Sequence, residues 1–504
     1  MNFLNIFLAL TPVVLLIVLL GFLKVSGDKS AFITLIVTIL IAVFGFDFSM
    51  ESIGLSMVYG TLKAIFPIIL IIIAAIYSYN VLVYTKKMEV LKFQFSNISK
   101  DKTVQVLLLT WGFGGLLEGM AGFGTAVAIP AAILIGLGYK PLFSALVSLL
   151  SNSVPTAFGA VGVPVKAVAI EIGHENLTSL GGEVVLQLMP LMVIIPFIIV
   201  TLTDPSWKSL LKNLLLSLVV GGVSIAVQYF SVHYIGVETP AILGSIASII
   251  VIVIWAKITA KKDADSSLET KTNAEIINAW AVYGLILFFI ILTSPLFDSL
   301  RTFLQSISAT PITMTIKGIE KTVKIFWLTD AGILIFLGSF LGGLLQGATI
   351  KELFSVLWKS VVQLKKTYIT VISLIILSTI MDFSGMIPVL GLALAAATGT
   401  FYPLFAPAIG CLGAFLTGSD TSSNILFGKL QANVAHQIGA EPSWFAAANT
   451  VGATGGKIIS PQSIAIATSA CGQQGEEGTI MKKALPYALF YIIVAGLMVY
   501  FFGK

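Results

Sequence analysis

The chain has 504 residues, of which 57% are hydrophobic and 11% charged, where an average soluble domain carries about 25% charged residues. Its 24 acids and 29 bases cannot cover a globule of this size and its mean hydropathy is +1.00, so an ordinary soluble protein is excluded and a bilayer is the solvent that suits it. The net charge of +5 is scattered between apolar runs rather than gathered on one face, which argues against a nucleic-acid partner and for topology-setting charge on cytoplasmic loops.

In chain order, the apolar run 7–23 lacks a basic flank and a small-residue cleavage site, and reads as a retained first span rather than a signal peptide. Stretches long enough to cross hydrocarbon recur near 5–23, 30–46, 55–84, 186–202, 211–230, 239–256, 276–296, 326–346, 367–381 and 484–502. Two further regions, 104–170 and 402–470, are as apolar but are interrupted by Gly, Pro, Ser, Thr and Asn. Each is read as a re-entrant hairpin followed by an unwound span: about 104–138 with 142–170, and about 402–437 with 443–470. The expected fold is all-α and polytopic, with about 12 crossings.

Starting the chain outside places twenty basic residues on inside segments, including Lys24, Lys100, Lys261, Lys262 and Lys271, against five outside, Arg301, Lys317, Lys321, Lys324 and Lys504. Lys63, Lys166, Lys429 and Lys457 fall at membrane depth, where a charge costs several kcal/mol unless paired or hydrated. The basic amphipathic segments 86–102 and 350–366 read as interfacial helices on the cytoplasmic side. Cys411 and Cys471 have no metal-like spacing and read as structural thiols.

Asn152, Val154, Gly159 and Pro164 recur as Asn449, Val451, Gly456 and Pro461 at an offset of 297, and Gly119 meets Gly418 at 299. The matched units begin on opposite sides of the membrane, the inverted-repeat pattern of secondary transporters. The expected division is a first repeat over 1–202, linking spans over 203–274 and a second repeat over 275–504.

Irregular backbone at membrane depth requires protein or a water-filled cavity to satisfy it, and half-helix N-termini there favour an anion. Ser151, Asn152 and Ser153 in one half, with Ser419, Thr421, Ser422, Asn424, Asn449, Thr450, Ser460 and Gln462 in the other, supply neutral donors, and Lys457 a full positive charge. Gly119 and Gly122 allow close backbone approach. A small carboxylate is the expected ligand, and either Glu118 or Asp420, at nearly equivalent hairpin tips, could carry a coupled proton. His436 is a weaker proton candidate. Nothing resembles a Walker A loop, a zinc ligand set or a nucleophile elbow, so the reading is a carrier rather than an enzyme, with no cofactor.

Glu118-Gly-Met-Ala-Gly-Phe-Gly124, Gly418-Ser-Asp-Thr-Ser-Ser-Asn424 and Gly455-Gly-Lys-Ile-Ile-Ser-Pro-Gln-Ser-Ile-Ala-Ile466 resemble the bacterial L-lactate permease family over nearly the whole chain. The resemblance implies a proton-coupled symporter importing L-lactate, and in many members D-lactate and glycolate, across the bacterial inner membrane. It also implies likeness to elevator-type anion transporters, whose scaffold often dimerises, so a homodimer is an expectation. Glu118, Gly119, Gly122, Asn152, Ser419, Asp420, Thr421, Ser422, Asn424, Asn449, Lys457, Ser460 and Gln462 match family motif positions, while Met120 and Thr125 depart from them. A sodium-coupled carboxylate carrier and a passive anion channel remain the alternatives to proton symport.

Overall fold

The computed structural model describes residues 3–503, except 24, 97, 100, 123 and 260–271. Lys24, Lys100, Lys261, Lys262, Lys271 and Lys504, used in the charge count, lie outside the described residues. Because hydrocarbon offers backbone groups no partners, the spanning chain must satisfy them internally. Accordingly, eleven helices among the described residues are long and apolar enough to cross a membrane.

The expected plain spans are present as helices, with two differences of detail. The helix Ala331–Leu345 is shorter than the apolar run 326–346 suggests, because the chain before it is a strand. The stretch Met50–Tyr84 is not one plain helix but is broken at Phe66, which has φ −117° and ψ 114°. Pro67 supplies the reason: it has no N–H to donate and its ring pushes the preceding residue out of helical geometry.

The all-α expectation also missed a β-hairpin, on the side that the lysine bias makes the outer one. Strand β1 (Ala309–Ile316) pairs antiparallel with β2 (Ile319–Phe326), joined by Lys317 and Gly318, both at positive φ. The alternating Thr, Ile and Val residues around a Lys-Gly turn are the sequence signal for it. The hairpin packs against the helix Met50–Lys63; just after it Trp327 meets Phe66 edge-on, and Lys321 of β2 lies over the Phe383 ring.

The helices pack into two interleaved groups. A frame comprises residues 3–96 and 273–398, and a core comprises 102–259 and 402–502. The amphipathic helix Ile350–Gln363 presents Ile350, Phe354, Trp358 and Val362 outward on one stripe, as an interfacial helix should. Its counterpart Lys87–Ser96 differs from expectation: Met88, Leu91 and Phe95 are buried against protein, with Phe95 stacked on Phe113 and edge-on to Trp280.

Every lysine placed at membrane depth by the sequence has a carboxylate partner. Lys63 pairs with Glu171 at 3.1 Å, Lys166 with Glu238 at 2.7 Å, Lys429 with Asp382 at 3.5 Å and Lys457 with Glu118 at 3.4 Å. An ion pair meets the cost of placing such a charge far from bulk water.

Candidate functional site

Four breaks in the core build the site. In the first hairpin, the arm Lys102–Met120 turns at Gly122 (φ 62°) and Gly124 (φ 84°) before Thr125–Gly136 returns. The left-handed conformation at these two positions is what a glycine permits and a side chain opposes. In the second, Tyr402–Thr417 ends at Gly418 (φ 70°), and the Ser419 hydroxyl then accepts from the Ser422 N–H at 3.2 Å to start Asp420–Gln437.

The unwound spans repeat the device. Pro141–Ser153 gives way to a tight turn at Pro155–Phe158 and to left-handed backbone at Ala160, Val161 and Gly162, after which the helix runs to Ile172. Pro442–Lys457 ends three residues before Ser460 caps Pro461–Ala470, accepting from the Ser463 N–H at 3.1 Å.

These breaks face a cavity of about 650 Å³, within the roughly 300–1,000 Å³ range of small-molecule sites. Its core wall includes Glu118, Gly122, Asn152, Thr156, Ser419, Asp420, Thr421, Ser422, Lys457 and Gln462. Its frame wall includes Ser26, Asp28, Lys366 and Thr370, which the sequence reading did not single out because they lie at the ends of ordinary spans. By the orientation set by the lysine bias, that wall is at the cytoplasmic end.

Charge at the cavity is uneven. Glu118 and Asp420 are each 2% exposed. The Lys457 ammonium donates to Glu118 Oε1, while Glu118 Oε2, Asn152 Oδ1 and both carboxylate oxygens of Asp420 have no hydrogen-bond partner among the described residues. Asn152 is held by its other end, donating from Nδ2 to Thr156 Oγ1 at 3.2 Å. One cation, two carboxylates and a set of free acceptors thus converge in one space.

The structure does not bring all the expected residues to that wall. Gly119 packs against the helix Pro240–Thr259, where a Cβ would lie 3.0 Å from the Ile242 backbone nitrogen. The Ser151 and Ser153 hydroxyls donate to the Ser148 and Leu150 carbonyls of their own helix, and Thr450 to Ala446. Ser460 caps its helix and donates to Ser463. Asn449 donates to Asn424 Oδ1 at 2.9 Å, Asn424 to the Pro164 carbonyl at 3.0 Å and Gln431 to Asn449 Oδ1 at 3.2 Å. Tyr402 closes this chain by donating to Gln431 Oε1. The two asparagines therefore tie the second hairpin to both unwound spans, with their polar atoms already occupied. His436 is exposed at the end of its arm, away from the cavity.

The family profile described as L-lactate permease matches residues 5–503. This chain belongs to the L-lactate permease family. Among curated relatives, it is 42% identical to an L-lactate permease of Streptococcus iniae, over 87% of this chain and 93% of the relative. It is 33% identical to the glycolate permease GlcA of Escherichia coli K12, over 97% of this chain and 94% of the relative. Against an L-lactate permease of Bacillus subtilis it is 31% identical over 96% and 93%. Among solved structures, MtrF of Neisseria gonorrhoeae, described with a class of antimetabolite efflux pumps, shares the fold at a TM-score of 0.53 and 12% identity, covering 96% of each chain. Family membership and the apolar helices make this permease a multi-pass protein of the bacterial cytoplasmic membrane.

Proposed function

We propose that this permease imports L-lactate, and also D-lactate and glycolate, by proton symport. The observation that carries the reading is the charge at the cavity: Lys457 is already opposed by Glu118, and Asp420 beside them has no donor to either oxygen among the described residues. A monocarboxylate entering such a site adds a second uncompensated negative charge in a poorly solvated space, which is costly. A proton on Asp420 removes that charge and turns a bare acceptor into a donor. Glu118 then serves as the counter-ion of Lys457, the ammonium faces the substrate carboxylate, and Asn152, Ser422 or Gln462 meets the 2-hydroxyl. Joint movement of anion and proton is electroneutral, so the membrane potential does not oppose uptake, whereas the bare anion meets about 2.3 kcal/mol per 100 mV.

The 297-residue offset supports two inverted repeats, 1–202 and 275–504, joined by 203–274. In this reading the core carries the substrate past the frame, and the frame is where a homodimer would form. Uptake of labelled L-lactate, D-lactate and glycolate into proteoliposomes under an inward proton gradient tests the function, with sodium varied and a protonophore as control. Accumulation that needs the proton gradient and ignores sodium is expected. A sodium requirement at fixed pH would select a sodium-coupled carrier, with the free oxygens of Asp420 as cation ligands, and equilibration without accumulation would select a channel.

A further inference from the structure

The cavity lies on the side that the lysine bias makes cytoplasmic, so some other contact must close the opposite route. Frame and core meet there through charge. Glu171, on the last turn of the core helix that ends at Ile172, directs both carboxylate oxygens at frame groups. Oε1 accepts from the Lys63 ammonium at 3.1 Å and Oε2 from the Ser378 hydroxyl at 2.7 Å. The Lys63 and Glu171 side chains are 9% and 3% exposed. A second pair crosses the same boundary, Lys429 of the core with Asp382 of the frame at 3.5 Å. Asp382 is one turn beyond Ser378 on the same frame helix, so both pairs sit at one patch.

We propose that Glu171, held by Lys63 and Ser378 and supported by Lys429 with Asp382, is a latch that keeps the outer route closed while the cavity is open to the cytoplasm. This rests on the reading that the core moves against the frame. An ordinary core-stabilising ion pair would have both partners in one group, as Lys166 and Glu238 do. Here each carboxylate and its lysine belong to different groups, so any relative movement must separate them. Buried partners exchange for one another or for water only with difficulty, which gives the contact two states, made or broken. Lys457, Glu118 and Asp420 take no part in it, so the latch can be altered without touching the proposed substrate site.

The test reads which way the cavity opens. In a background with Cys411 and Cys471 replaced by serine, Thr370→Cys places one thiol on the frame wall of the cavity. Its labelling by a membrane-impermeant maleimide is followed in inside-out vesicles. Because Glu171→Gln alone leaves a bare lysine at depth, the primary variant is the neutral pair Lys63→Met with Glu171→Met, checked for a cooperative melt. Breaking the latch shifts the population outward, and labelling from the cytoplasmic side is expected to slow at least about five-fold. The charge exchange Lys63→Glu with Glu171→Lys is expected to return it toward the parent rate. Equal labelling of the parent and a cooperatively melting neutral-pair variant overturns the latch. If the exchange is ill-folded, Ser378→Ala, which removes one donor and no charge, is read instead: slower labelling from the cytoplasmic side than in the parent supports the latch, and an unchanged rate counts against it. Loss of proton-driven uptake by the parent would instead overturn the transport reading, since labelling does not depend on substrate.

Discussion

Replacing Lys457 by methionine perturbs the cavity most directly. At 3.4 Å, the Lys457 and Glu118 charges attract by ~5 kcal/mol at an effective dielectric of about 20. The net worth of the pair is smaller, because holding both charges away from water costs their hydration. Truncating one member of a buried pair costs about 3–5 kcal/mol, so the single variant is expected to lose both fold stability and anion affinity. The double variant Lys457→Met with Glu118→Gln separates the two, since it leaves no unpaired partner. It should melt close to the parent yet bind L-lactate at least about 100-fold more weakly, equivalent to ~2.8 kcal/mol. The assay is equilibrium binding of labelled L-lactate to protein in nanodiscs, beside a melting curve on the same sample. Parental affinity in the double variant would refute the reasoning, because it would move the carboxylate contact away from Lys457.

Asp420→Asn keeps the shape and removes the proton, so counterflow of L-lactate should persist while accumulation driven by a pH gradient falls to background, measured in the same proteoliposomes. Gly452→Ala places a Cβ 1.8 Å from the Pro407 carbonyl oxygen, a backbone atom that cannot step aside. It should lower stability by about 1–3 kcal/mol, whereas Gly136→Ala, with nothing within 4 Å, should leave the melting temperature unchanged or higher. Asn449→Ala strips Gln431 and Asn424 of a partner and should cost about 1–3 kcal/mol of stability, while the KM of a functional preparation stays near the parent's. On the amphipathic helix Ile350–Gln363, the Tyr84 hydroxyl and then the Thr349 backbone N–H and hydroxyl hold the Glu352 carboxyl down to about 2 from an ordinary 4.5. A depressed acid contributes stability above its ordinary range and loses it as pH falls toward 2. Glu352→Gln should therefore leave the shape of the uptake profile between about pH 5 and 8 unchanged, since that window lies wholly above the transition.

The fold was legible where a single physical requirement fixes the local structure. Apolar runs must be helices in hydrocarbon, so the spans Leu177–Thr203, Leu210–Tyr234 and Pro240–Thr259 fall where composition puts them. Gly and Pro clusters marked the hairpin at Gly122 and Gly124 and the break before Ser460. The kink at Phe66 was also signalled, by Pro67, but a lone proline in a long apolar run is outweighed in a reading by composition. The β-hairpin around Lys317 and Gly318 was passed over because a 16-residue alternation between spans reads as a loop when attention is on hydropathy. Partners were out of reach altogether: the sequence could say that Lys63 and Lys429 needed carboxylates, but not that Glu171, 108 residues from Lys63, and Asp382 would supply them.

The site was legible by residue type and illegible by direction. A buried asparagine and a buried serine have the same composition whether they face a ligand or their own helix, and a rotation of about 100° per residue decides which. Asn152 and Ser422 face the cavity, whereas Asn424, Asn449 and Ser151 spend their polar atoms on Pro164, Gln431, Ser423 or Ser148. The same distinction separates the two acids that the sequence left equivalent. Glu118 has a lysine on one oxygen and Asp420 has no donor on either among the described residues, although both stand at hairpin tips and both are buried. An acceptor without a donor is a property of the packed neighbourhood. It is the difference that assigns the fixed charge to Glu118 and the exchangeable proton to Asp420 in the proposed cycle, and that makes Asp420→Asn and Glu118→Gln predictably unlike in their effects.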